Sequence, residues 1–179
     1  MIRGVNLGFF RRTREVNRPV VRPDLSPADW LIEALALIML GIFLGYVVYQ
    51  YPKLPASIPT HFNASGIADD YGSKSSLIAF TVIALAIYVM MTLINLIPYT
   101  FNFPGKITPA NAMHEYTLAT RLIRVLKAII VTLFFFICLF TTRIVSHQAS
   151  GLGIWFMPIF LALVFIPIVI YFILASHKK

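Results

Sequence analysis

The sequence predicts an all-α integral membrane four-helix bundle, with an ordered extracytoplasmic loop and an interfacial cytoplasmic helix. Three observations carry that prediction. Hydrophobic residues make up 59% of the 179-residue chain, and charged residues only 12%, against roughly 25% in a soluble domain. Four long apolar runs punctuate the sequence. The 15 Lys and Arg outnumber the 7 Asp and Glu, and they gather on one side of those runs. A water-soluble globular domain is excluded by the first observation. So is intrinsic disorder, which requires low hydrophobicity.

The four spans are predicted at about residues 30–51, 77–97, 125–146 and 152–175. Each is near the ~20 residues needed to cross the hydrocarbon core as a helix. Their apolar residues run continuously rather than alternating, so these segments are not membrane strands. The first run follows 29 residues and is too long for the core of a cleaved signal peptide, so it reads as a retained span. Residues 1–29 form a basic cytoplasmic arm, and residues 30–175 the four-span membrane domain.

Basic residues set the orientation. Arg3, Arg11, Arg12, Arg14, Arg18 and Arg22 precede the first span; Lys106, Arg121, Arg124 and Lys127 lie between the second and third; Lys178 and Lys179 follow the fourth. Only Lys53, Lys74 and Arg143 fall on the other side. The positive-inside rule therefore places both termini in the cytoplasm and loop 52–76 outside the cell (inner) membrane. The same excess points to anionic lipid as a partner and not to nucleic acid. Ile2, Val5, Leu7, Phe9 and Phe10 form a candidate interfacial turn in the arm.

Between spans two and three, Thr108-Pro109 reads as a helix N-cap and first helical residue. Met113, Tyr116, Thr120, Ile123 and Lys127 follow at helical spacing, which predicts an interfacial helix running into span three. Glu33 is expected to pair with Arg124 or Lys127. Asn95 and Thr92 are expected to bond across helices. Gly41 and Gly45 form a GxxxG motif, suited to close packing within the chain or in a homo-oligomer. Pro158 and Pro167 are expected to kink span four. Cys138 lies mid-span as inert packing.

Loop 52–76 holds the most specific pattern. Pro52, Pro55 and Pro59 come early, Gly66 and Gly72 late, which describes a sculpted loop rather than a linker. Ile58 and Phe62 can tuck back onto the span ends. The candidate loop-shaping or partner-binding residues are Pro59, His61, Phe62, Asn63, Gly66, Asp69, Gly72 and Lys74, with Asp69 and Lys74 a candidate ion pair. Leu54-Pro55, Ile58-Pro59-Thr60-His61-Phe62-Asn63, Ser65-Gly66, Asp69 and Tyr71-Gly72-Ser73-Lys74 together resemble the signature of the DUF1648 domain. That domain occurs in the bacterial SdpI-like immunity proteins and in many small membrane proteins. Phe101-Asn102-Phe103-Pro104, Ile107-Thr108-Pro109 and Asn111 resemble its smaller four-span members. The resemblance implies a helical membrane protein presenting this loop outside. For SdpI-like members it also implies immunity to a membrane-active peptide toxin. This sequence lacks the additional C-terminal membrane domain of those longer proteins, so the fold transfers further than the immunity role.

The chemistry-bearing residues are few. His61, Asp69, Asp70 and His147 are candidate ligands for a divalent metal such as zinc, although no tight spacing enforces a site. The alternative is structural, with the imidazole bonded inside a proline-rich turn. His114-Glu115 lacks the second His of a zincin, since position 118 is Leu. There is no GxSxG, no phosphate-cradling glycine loop and no CxxC. The sequence thus points to a non-enzymatic membrane protein, without a predicted cofactor, that recognises a peptide, toxin or other partner at the outer surface. The alternatives are a small oligomeric channel or transporter, or a membrane metalloprotein centred on His61.

Overall fold

The computed structural model describes residues 18–176. Four helices are long and apolar enough to cross a membrane. They are α1 (Pro27–Gln50), α2 (Ser75–Ile94), α3 (Ala112–Val145) and α4 (Phe156–Ser176). An antiparallel hairpin, β1 (Ser57–Phe62) with β2 (Ala68–Ser73), joins α1 to α2. The chain is a multi-pass membrane protein. The interfacial turn expected within residues 1–17, and the basic residues there and at 178–179, lie outside the described residues.

α1 begins where its sequence dictates. Ser26 accepts a bond from the Asp29 amide at 3.2 Å, and the Asp29 carboxylate accepts from the Ser26 amide at 3.0 Å. This reciprocal capping box, with Pro27 as first helical residue, satisfies two otherwise orphaned donors. It starts the helix three residues before the predicted span. Ala36, Leu40, Phe43 and Val47 then recur at three and four residues and are the buried apolar stripe.

α3 is the pillar of the fold. It contacts α1, α2, α4, and β1. Its 34 residues run about 51 Å at 1.5 Å per residue, longer than a ~30 Å hydrocarbon core. The predicted interfacial helix and span three are therefore one continuous helix. Its start is corrected too: Asn111 is the N-cap, not Thr108. The Asn111 side chain accepts from the Thr108 amide at 2.8 Å, so Thr108-Pro109 belong to the preceding turn.

Two cores flank this pillar. One joins Phe43 and Val47 of α1 to Leu54, Ile58, Leu77, Val131 and Cys138. The other packs Ile107, Ala112 and Tyr116 with Val21, Tyr99 and Phe103. Arg18 secures the second core by donating to the Phe101 carbonyl at 2.6 Å, and Tyr116 donates to the Pro19 carbonyl at 3.2 Å.

Two packing expectations are corrected. Gly41 and Gly45 are exposed, and a Cβ on either would meet nothing within 4 Å. Among the described residues, no helix packs on their motif, because α1 meets α3 along the opposite stripe, Ala36–Leu40–Phe43–Val47. Pro158 is the third residue of α4, where its missing N–H has no helical partner to lose. Only Pro167 interrupts that helix.

Candidate functional site

The hairpin follows from its turn residues. The Asn63 side chain accepts from the amides of Ser65 and Ile67 at 2.9 and 3.1 Å. Its backbone amide donates to the Ile67 carbonyl at 2.9 Å. Such an Asx turn reverses the chain within five residues. Gly66, at φ +74°, supplies the left-handed residue the turn requires. Irregular register on either side of His61 marks a bulge, with His61 opposite Asp70.

The turn is docked on the α3–α4 connection. The Leu152 amide donates to the Gly66 carbonyl at 2.7 Å. A Cβ built on Gly66 would lie 2.7 Å from the Gly153 carbonyl oxygen and 2.9 Å from its nitrogen. The approach requires glycine at 66, and a Cβ on Gly151 would likewise clash with the Gly66 carbonyl, whereas one on Gly153 would meet nothing within 4 Å. Gly151 and Gly153 were not singled out from the sequence; the Gly151-Leu152-Gly153 spacing after an apolar helix was the available signal.

Beneath the docked hairpin lies a cavity of about 190 Å³. Phe62, Phe80, Cys138, Phe156 and Met157 are part of its mainly apolar wall, and Thr60, His61, Ser76 and Thr141 are its polar members. Ile58 is buried and Phe62 half-buried, as expected of residues that fold back onto the span ends, and Pro59 is buried as well.

The predicted site residues divide accordingly. His61 Nδ1 and Asp69 Oδ1 are 2.6 Å apart across the hairpin, on its exposed surface. Lys74 does not pair with Asp69. Its ammonium donates to the Leu54 carbonyl at 3.4 Å and sits 5.0 Å from the Tyr51 ring centroid, because it belongs to the hairpin's base rather than its tip. Gly72 faces Thr60, whose methyl a Cβ would meet at 3.0 Å. Asp70 accepts from the adjacent Tyr71 amide at 2.8 Å. His147 terminates α3 at φ 56°. Among the described residues, no three His, Cys, Asp or Glu side chains gather into a metal-holding group.

At the opposite end of the bundle, the charges sort into ion pairs. Arg121 donates to both Asp29 oxygens, at 2.8 and 3.0 Å. Lys127, fully buried, donates to Glu33 at 2.6 Å and to Thr92 at 2.9 Å. Arg124 Nε lies 3.3 Å from Glu33. The expected Glu33 pairing thus occurs with both bases. Asn95 donates across helices to the Thr120 carbonyl at 3.3 Å. The Asp29–Arg121 fork was missed, although Ser26-Pro27-Ala28-Asp29 carries a capping-box pattern that flags Asp29.

Comparison with known proteins bears on this same region. Residues 38–87 match the family described as a domain of unknown function, DUF1648. They span the second half of α1, the hairpin and most of α2. An uncharacterised protein of Archaeoglobus fulgidus is 34% identical over 79 residues. That match covers 40% of this chain and 43% of the relative, so the chain matches less than half of the relative's length. No solved structure matches. The hairpin, with the adjoining parts of the two helices that carry it, is thus the region similar to DUF1648.

Proposed function

We propose that this chain is a non-catalytic binding protein of the cell membrane, whose hairpin face recognises a membrane-active peptide or comparable partner at the outer surface. The supporting observation is the roofed apolar cavity below β1. Ligand sites are concave and mostly apolar, with a few polar groups that fix orientation. Here the cavity admits an apolar side chain while His61 and Thr141 offer the polar contacts. The twelve-to-three division of basic residues supports an outward hairpin and cytoplasmic termini. The role is immunity or signalling of the SdpI-like type.

The test is survival. Cells expressing the chain are challenged with a panel of membrane-active peptides, alongside cells carrying Phe62→Ala or His61→Ala variants. The reading requires protection against at least one peptide, lost in the variants at equal membrane abundance. Equal survival with and without the protein removes it.

A second reading, a small oligomeric channel or transporter, draws on the Lys127–Glu33–Thr92 contact, since intramembrane ionisable groups mark ion paths. It predicts flux in proteoliposomes that Thr92→Val abolishes.

A further inference from the structure

A second concavity opens on the hairpin side, around α3 from the first. Its volume is about 270 Å³, and Tyr46, Gln50, Thr142, Arg143, Ser146 and Gln148 line it. The surroundings differ in kind: Leu139 is the one apolar side chain of the lining, the rest are polar, and the only formal charge among them is positive.

The hydroxyl protons are already committed. Thr142 donates to the Leu139 carbonyl at 2.8 Å, and Ser146 to the Thr142 carbonyl at 2.9 Å. Because the Thr142 proton is used there, Tyr46 donates its own to Thr142 Oγ1. Gln50 donates to the Tyr46 hydroxyl at 3.4 Å. The carbonyls ending α3 are occupied as well. The Gln148 amide donates to the Arg143 carbonyl at 2.8 Å and the His147 amide to the Ile144 carbonyl at 3.0 Å. This is a Schellman closure. It removes the exposed negative ends that would otherwise repel an anion at a helix C-terminus.

What remains free are the donors of Arg143 and Gln148. Among the described residues, neither side chain has a hydrogen-bonding or ionic partner. A guanidinium and an amide facing one polar concavity suit an oxyanion. The hydroxyl lone pairs beside them suit a ligand that carries its own donors. The concavity sits where the apolar runs of α1 and α3 end, at headgroup depth. We infer that it binds an anionic phosphate ester bearing hydroxyl groups, the chemistry of a phosphatidylglycerol headgroup or of a soluble glycerophosphate.

The experiment uses the full chain in nanodiscs of equal parts phosphatidylglycerol and phosphatidylcholine, with bound lipid counted by native mass spectrometry. Preferential retention of phosphatidylglycerol is expected, reduced about fivefold in Arg143→Gln and also in Gln148→Ala. Both variants should melt with the parent, since both side chains are unpartnered. Added glycerol phosphate separates the sources: unchanged lipid retention assigns the site to the headgroup, and displacement assigns it to the soluble ester. Equal retention of both lipids without displacement, or undiminished retention in Arg143→Gln, overturns the assignment.

Discussion

Gly66 and Gly153 meet backbone to backbone, at a separation that leaves no room for a Cβ on Gly66. That approach lets the Leu152 amide reach the Gly66 carbonyl, and so fixes the hairpin over its cavity. Gly66→Ala should release it. The left-handed backbone alone costs a non-glycine residue about 1–2 kcal/mol, and the clash adds to that. Amide exchange should accelerate across 57–73 and 150–153 while α3 keeps its protection. Unchanged exchange would mean the turn is held by something else.

Glu33 and Lys127 join α1 to α3 in surroundings that penalise any unpaired charge. Glu33→Gln leaves Lys127, fully buried, without its anionic partner. Breaking a buried pair costs about 3–5 kcal/mol, whereas replacing both members by apolar residues is often neutral. Glu33→Gln should therefore be strongly destabilising in detergent unfolding, and Glu33→Leu with Lys127→Met should recover part of the loss, the remainder lying with buried Arg124, which also faces Glu33. A double variant as unstable as the single would contradict this.

His147 occupies the left-handed position closing α3, a place where glycine is favoured. His147→Gly should stabilise the chain by about 0.5–1 kcal/mol. Stability lost on that substitution would give the imidazole a role beyond capping.

His61 and Asp69 are read here as a hairpin clasp. Chelator treatment should leave the melting temperature unchanged, and His61→Gln should lower it slightly, since exposed pairs contribute at most about 1 kcal/mol. A large fall on chelation would favour the metal reading instead.

The exposed Gly41–Gly45 face predicts that Gly41→Leu with Gly45→Leu leaves the monomer's stability within about 0.5 kcal/mol. A marked loss would place another helix against it.

Much of this architecture was legible in the sequence, for identifiable reasons. Continuous apolar runs gave four spans, because backbone in lipid has few alternatives to a helix. Glu33 announced its partners, because a carboxylate one turn inside a span must find a base. Asn63 and Gly66 announced the turn, because their side-chain chemistry is local. Long-range matters were not legible. Asp69 chose His61 over Lys74 through the pairing register, and the bulge at His61 has no marker in composition. Gly41 and Gly45 permit close packing but do not specify a partner. The docking of Gly66 on Gly153 joins residues 87 positions apart, which no local pattern records.

In the proposed function, a partner engages the hairpin face. The most direct measurement is hydrogen exchange of the nanodisc-embedded chain, with and without a peptide against which it protects cells. New protection should fall within 57–73 and 146–157, leaving 95–111 unchanged. Protection confined to 95–111, or none at all, would contradict the account.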